Sequence, residues 1–169
     1  QPEALAIVGA SAIGCEFAYY FNSYGVNVMM FEMLDRLVPR EDEEVSAELE
    51  RQFANQGIEF ATSANVSGVR KTNGRLTVQY EVDGANREFN CDKVLLGVGI
   101  QPNTDEIGLE NLGVKTVGPG FIEVDGNMRT NVVGVYAAGD VNGKLALAHV
   151  AFEQGVVAAE TIAGHDTTP

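Results

Sequence analysis

The chain has 169 residues, 45% of them hydrophobic, which is enough to bury a core and too apolar for a disordered segment. Its 24 acidic and 11 basic residues give a formal charge of −13, which disfavours nucleic acid and anionic membrane surfaces as partners. An anionic ligand therefore gets no help from the overall field and must be held by local backbone dipoles.

No apolar run approaches the length of a membrane span, and no basic-then-apolar N-terminus marks a signal peptide. Cys15 and Cys91 stand 76 positions apart, without metal-like or CxxC spacing. They read as small buried thiols in a reducing, cytoplasmic compartment rather than as a disulfide. The opening Gln1-Pro2-Glu3 runs at once into a buried strand, an abrupt start expected of a piece of a longer protein.

Along the chain, residues 4–8 form a short apolar run that ends in glycine, as a buried parallel strand does. A helix is expected over 12–24, capped by Gly25, followed by a strand over 26–31 that Glu32 closes. A second helix over 40–56 carries Val45, Leu49 and Phe53 at four-residue spacing. Glu41, Asp42, Glu43 and Glu44 sit in its first turn, at the positive end of its dipole. Gly57 stops it, and 58–60 reads as a third strand. This β-α-β-α-β alternation is that of a parallel sheet with helices on its faces.

The pattern then changes. Short strands over 66–71, 75–80 and 87–91 are separated by Asn73-Gly74 and Asp83-Gly84, which favour tight hairpins because they tolerate positive φ. An antiparallel meander is thus inserted into the parallel sheet, and 94–98 returns as a buried strand. A loop at Gln101-Pro102-Asn103 opens a second section, with strands expected over 121–124 and 132–138, a turn at Asp125-Gly126, and a final helix over 146–163. The fold class is α/β, a Rossmann-like sheet flanked by helices, with a domain over 1–102 and a further section over 103–169.

The chemistry sits at the first strand-to-helix turn. Gly9-Ala10-Ser11-Ala12-Ile13-Gly14 follows the dinucleotide-binding pattern G-x-G-x-x-G with Ser11 in place of the middle glycine. Gly9 permits the tight turn, and Gly14 lets the helix pack close to the strand. At Ser11 two readings stand: its hydroxyl donates to a phosphate, or its Cβ holds the phosphate off. Glu32 lies eighteen positions past Gly14, near the roughly 20 expected of a carboxylate that hydrogen-bonds a ribose 2′-hydroxyl. The bland alternative is a ligand-free turn with Glu32 a solvated surface charge. NAD(H) is the cofactor expected; Met33, Leu34 and Asp35 offer no arginine pair for a 2′-phosphate.

Further blocks resemble the flavin-dependent pyridine nucleotide-disulfide oxidoreductases, above all the branch that oxidises dihydrolipoamide. The segment from Phe31 to Pro39 is similar to the stretch after that family's second NAD-domain strand. Leu96-Gly97-Val98-Gly99-Ile100-Gln101-Pro102-Asn103 is similar to its GxGRxPN loop, without the frequent Arg. Thr130-Asn131-Val132-Val133-Gly134-Val135-Tyr136-Ala137-Ala138-Gly139-Asp140 resembles the second FAD fingerprint, whose closing Asp hydrogen-bonds the ribityl chain. Leu147-Ala148-His149 resembles the helix start that faces the flavin pyrimidine edge.

The resemblance implies cofactor contacts from Gly9, Ser11, Ala12, Ile13, Gly14, Glu16, Glu32, Val66, Gly99, Asp140, Leu147, Ala148 and His149, and no metal. It puts Glu16 near the nicotinamide and flavin, paired with a lysine from a segment not in this chain; read plainly, Glu16 is an acid near a helix start. Asp140 could equally cap the loop that follows it, and His149 is flavin-adjacent rather than a base. No catalytic residue is expected within the 169 residues: the family's CxxxxC pair and HxxxxE dyad are not among them. The second section then reads as the C-terminal, incomplete half of an FAD-binding domain. For the intact enzyme, the resemblance implies FAD as well as NAD, a homodimer mate, lipoyl domains of a 2-oxoacid dehydrogenase complex as partners, and oxidation of dihydrolipoamide by hydride transfer through FAD to NAD. The alternatives are an NADH oxidase or mercuric reductase of the same superfamily, or an inactive NAD-binding module.

Overall fold

A short strand with apolar residues at both odd and even positions is stable only where both faces of its sheet are covered. The computed structural model, which describes residues 1–165 and 167, meets that demand in the first of two compact units, Gln1–Gly99 and Ile100–Pro169. Asp166, Thr168 and Pro169, at the end of the expected second section, lie outside the described residues.

In the first unit, β1 (Ala4–Val8), α1 (Ala12–Ser23), β2 (Asn27–Phe31), α2 (Glu43–Asn55) and β3 (Glu59–Ala61) alternate. The meander β4 (Asn65–Thr72), β5 (Arg75–Val82) and β6 (Ala85–Cys91) follows, and β7 (Lys93–Leu96) returns. The sheet order is β3-β2-β1-β7 with every pairing parallel, while β4-β5-β6 is antiparallel. Alternate residues take opposite faces. Leu5, Ile7, Val28 and Met30 pack with Cys15 and Ala18 of α1 and Phe53 of α2. Ala6, Met29 and Phe31 pack with Val78, Tyr80 and Cys91 of the meander. The helices thus cover one face and the meander the other, with the Phe31 and Tyr80 rings 4.6 Å apart between centroids. Both hairpins turn at the expected dipeptides, with positive φ at Asn73, Gly74, Asp83 and Gly84.

Local chemistry moves several expected boundaries. The second helix starts at Glu43 because the Asp42 carboxylate accepts the Glu44 N–H at 2.8 Å and acts as N-cap. Of the four-spaced apolar row, Phe53 is buried and Leu49 packs against the same core, while Val45 at its start is 54% exposed and Ser46 beside it is buried. The returning strand ends at Leu96. It lies at the edge of the sheet, and Leu96 and Val98 are 70% and 69% exposed rather than buried.

The second unit holds α3 (Leu109–Leu112), β8 (Thr116–Val117), β9 (Phe121–Ile122), a 3₁₀ turn (Asp140–Asn142) and α4 (Ala148–Ile162). β9 pairs antiparallel with β8, which the sequence did not announce, and stops short of the expected 124. The strand predicted over 132–138 is absent; a single bridge, Arg129 to Tyr136, is all the pairing there. The cause is local. Thr130 Oγ1 accepts the Val132 N–H at 3.1 Å and donates toward Val135 O at 2.9 Å, while Thr130 N–H also reaches Val135 O. These bonds close a tight turn that overrides the β-branched composition. Two small clusters hold the unit together, one of Val114, Ile122 and Ala137, the other of Met128 with Val157 and Ala158 of α4. No helix among the described residues is long and apolar enough to cross a membrane.

Two consequences are measurable. A Cβ on Gly14 would overlap Gly9 O, backbone that has nowhere to go, whereas one on Gly155 in α4 meets nothing within 4 Å. Gly14→Ala is therefore expected to cost at least about 3 kcal/mol in denaturant unfolding, and Gly155→Ala to gain about 0.5–1 kcal/mol. Cys15 is buried with its S–H 3.4 Å from Ala10 O, and burial, followed by the Glu32 carboxylate, pushes its pKa up from 9.0 to about 11. The folded state keeps a proton that the unfolded chain releases, so this contribution is intact below about pH 9 and is lost as pH rises from 9 to 11. Between pH 8 and 10.5 the protein should lose roughly 1–2 kcal/mol more stability than Cys15→Ala does. Equal losses in the two proteins would refute the assignment.

Candidate dinucleotide site

The site is built where β1 ends. Gly9 N–H donates to Phe31 O of β2 at 2.8 Å, and Gly97 N–H, just past β7, donates to Val8 O at 2.7 Å. Three backbone segments are drawn together so closely that a Cβ on Gly9 would stand 2.5 Å from Gly97 O; Gly9 also has φ +96°. With Gly14 pressed on Gly9, the start of α1 rides directly on the strand end.

Ser11 is the N-cap of α1, with φ −68° and ψ −178° and no hydrogen bond from its side chain. The helical ladder begins with Cys15 N–H to Ser11 O at 3.0 Å, so the Ala12, Ile13 and Gly14 N–H groups ahead of it have no intrahelical acceptor. Ser11, Ala12 and Ile13 are exposed. These are free amides at the positive end of a helix dipole, the donor set that suits a pyrophosphate. Because φ at Ser11 is negative, a non-glycine residue fits there without backbone strain.

Glu32 is not a solvated surface charge. It is 8% exposed, and its carboxylate accepts Ala10 N–H at 2.7 Å and Leu34 N–H at 2.9 Å. Two hydrogen bonds leave part of a carboxylate's four acceptor positions open to ribose hydroxyls. Val66 is half-buried in the apolar cluster that also takes in Val8 and Phe31, the last residues of β1 and β2, so the start of the meander flanks the strand ends. Gly99 follows β7 in an exposed loop with φ +116°. Glu16 is exposed on α1, near enough for its charge to help raise the Cys15 pKa. The structure thus gathers Gly9, Ser11, Ala12, Ile13, Gly14, Glu32 and Val66 at one end of the sheet. It adds Ala10 and Gly97, which the pattern of side chains could not single out because they act through backbone atoms.

In the second unit, Asp140 opens the 3₁₀ turn and is exposed. Leu147 is the N-cap of α4, without a capping side chain, and Ala148 and His149 are its exposed first residues. Uncapped amides there and a nearby free carboxylate are a donor and acceptor set that fits part of a flavin. Gln154, 3% exposed, accepts both Gly139 N–H and Asn142 Nδ2 at 2.7 Å, fixing the turn that carries Asp140 against α4. Neither Gln154 nor Asn142 was visible as a site residue in the sequence. Among the described residues there is no group of three or more His, Cys, Asp or Glu side chains able to hold a metal ion.

Known proteins are similar to this chain along most of its length. Residues 1–155 match the family described as pyridine nucleotide-disulphide oxidoreductase. The chain is 46% identical over 166 residues to a dihydrolipoyl dehydrogenase of Mycobacterium leprae, covering 98% of this chain and 36% of that protein. It is 45% identical to a dihydrolipoyl dehydrogenase of Corynebacterium glutamicum, with coverage of 98% and 36%. The crystal structure of LpdA from Mycobacterium tuberculosis superposes with a TM-score of 0.90 at 33% identity, over 99% of this chain and 36% of that one. The HOCl-induced flavoprotein disulfide reductase RclA of Escherichia coli superposes with a TM-score of 0.88 at 26% identity, over 98% and 37%. The chain therefore spans about a third of the length of the relatives it matches. It belongs to the pyridine nucleotide-disulphide oxidoreductase family.

Proposed function

We propose that this chain is the NAD(H)-binding portion of a flavin-dependent disulfide oxidoreductase whose overall reaction is the oxidation of dihydrolipoamide. The reading rests chiefly on one arrangement: the open amides at the start of α1 stand beside a carboxylate, Glu32, held at the end of β2. In it, the Ser11, Ala12, Ile13 and Gly14 backbone binds the pyrophosphate, Glu32 accepts the adenosine ribose hydroxyls, and Val66 and Gly99 flank the cofactor. Glu16 faces its nicotinamide end.

Residues 1–102 act as the NAD domain, and 103–169 contribute one side of a flavin cradle through Asp140 and the α4 start at Leu147, Ala148 and His149. When bound, FAD supplies a two-electron acceptor between dithiol and nicotinamide. This chain's part is to orient the ribityl end through Asp140 and to place positive helix dipole at the flavin edge. The relatives named dihydrolipoyl dehydrogenase favour a dihydrolipoyl group as the dithiol oxidised; a homodimer mate, and lipoyl domains that present the substrate, complete the proposal for the intact enzyme.

NADH should bind at least tenfold more tightly than NADPH. Each charge-assisted bond to Glu32 contributes about 1.5–3 kcal/mol, and a 2′-phosphate would set like charges side by side. Fluorescence titration of both cofactors checks this, and Glu32→Arg should invert or abolish the preference. Equal affinities in the wild type, or an unchanged ratio in the variant, would remove Glu32 as the ribose reader. The 169 residues purified alone should carry no flavin; a yellow sample with one FAD per chain would contradict the half-cradle assignment.

A further inference from the structure

A carboxylate that only read a ribose would turn its oxygens to solvent until the ligand arrived. Glu32 does not. Its Oε2 holds Ala10 N–H in the turn after β1, twenty-two residues away, and its Oε1 holds Leu34 N–H in the loop after β2. Ala10 is the residue between Gly9 and Ser11, and its carbonyl is held in turn by Val38 N–H at 2.8 Å and by the Cys15 thiol. Leu34 O accepts Ser63 N–H at 2.7 Å, and Glu32 O accepts Ala64 N–H at 2.8 Å, which ties in the chain leading to β4. One side chain thus fastens two segments at the strand ends, and backbone bonds from Glu32 O and Leu34 O tie in a third. No ion pair among the described residues involves Glu32, so the amides are its compensation for burial.

We infer that Glu32 is a positioning residue for the pyrophosphate turn as well as the ribose acceptor, so that the two ends of the cofactor's adenosine diphosphate half are coupled through a single carboxylate. The inference rests on the NAD(H) reading above. One of the carboxylate's four acceptor positions holds the turn, a second holds the loop after β2, and two remain for hydroxyls, so both tasks proceed at once. Replacing the acid by its amide sets an NH₂ against either Ala10 N–H or Leu34 N–H. Donor then faces donor, and the turn shifts away from the geometry that aims the Ser11 to Gly14 amides.

The test uses NADH and an NADH analogue whose adenosine ribose lacks both hydroxyls, titrated against the wild type and Glu32→Gln. The analogue should bind the wild type at least tenfold more weakly than NADH. Glu32→Gln should weaken the analogue by at least a further fivefold, although the analogue has no hydroxyl for Glu32 to read. An analogue affinity unchanged within twofold would overturn the inference, and so would a fall in melting temperature with that affinity unchanged. If Glu32→Gln does not fold, amide hydrogen exchange in the ligand-free wild type decides. Ala10 and Leu34 should exchange at least 100-fold more slowly than Ala12 and Ile13; equal rates would refute the brace. A wild type that binds neither NADH nor the analogue rejects the NAD(H) reading, while the exchange rates still report on the brace.

Discussion

Backbone lying directly on backbone at the end of β1 is the constraint from which the rest of the first unit follows. Gly9 and Gly14 leave no room for a side chain of their own between the strand end, the start of α1 and the Gly97 backbone after β7. That closeness fixes where the α1 axis begins and directs its first amides outward. It also sets Ala10 within reach of Glu32, and it places Cys15 where burial and the carboxylate both oppose ionisation. The parallel sheet supplies the platform, because its strands all end on the same side and leave their connecting turns together.

The electrostatics of the chain work against its proposed ligand at long range and for it at short range. A net charge of −13 repels a dinucleotide on approach, and the effect weakens within about a Debye length, ~8 Å at physiological salt. Inside that distance the open α1 amides and the nearby helix dipole dominate. The long-range repulsion slows association more than it limits final affinity. In the proposed reading the same division favours NAD over its 2′-phosphorylated form, since Glu32 would set a negative charge beside that phosphate.

The second unit is organised on a smaller scale. Its apolar clusters are slight, and polar side chains carry much of the order: the buried Gln154 and Asn142 hold the Gly139–Asp140 turn, and the exposed Asn131 bridges Lys115 N–H and Gly113 O. Polar scaffolds of this kind set loop geometry through directional bonds rather than through packed volume. The exposed Asp140 is consequently presented with the help of Gln154, a side chain from α4.

The sequence by itself determined the elements whose signals are local. Apolar runs, the first ended by Gly9 and the second by Glu32, marked β1 and β2, Gly25 and Gly57 stopped the helices, and Asn73-Gly74 and Asp83-Gly84 set the hairpins, because turn conformation depends on the residues within the turn. The glycine spacing and the distance to Glu32 were equally legible, since a strand-turn-helix crossing imposes them on the chain. Local bonds overrode the pattern in one place, where Thr130 closed a turn over 130–135 instead of the expected strand over 132–138. Tertiary structure decided the rest: Leu49 and Phe53 pack on the core while Val45, in the same row, faces outward. The role of Glu32 as a brace depends on Ala10, Leu34 and the strand ends meeting in space. A pattern of residue types records which side chain is charged; only the fold decides which backbone amides it finds.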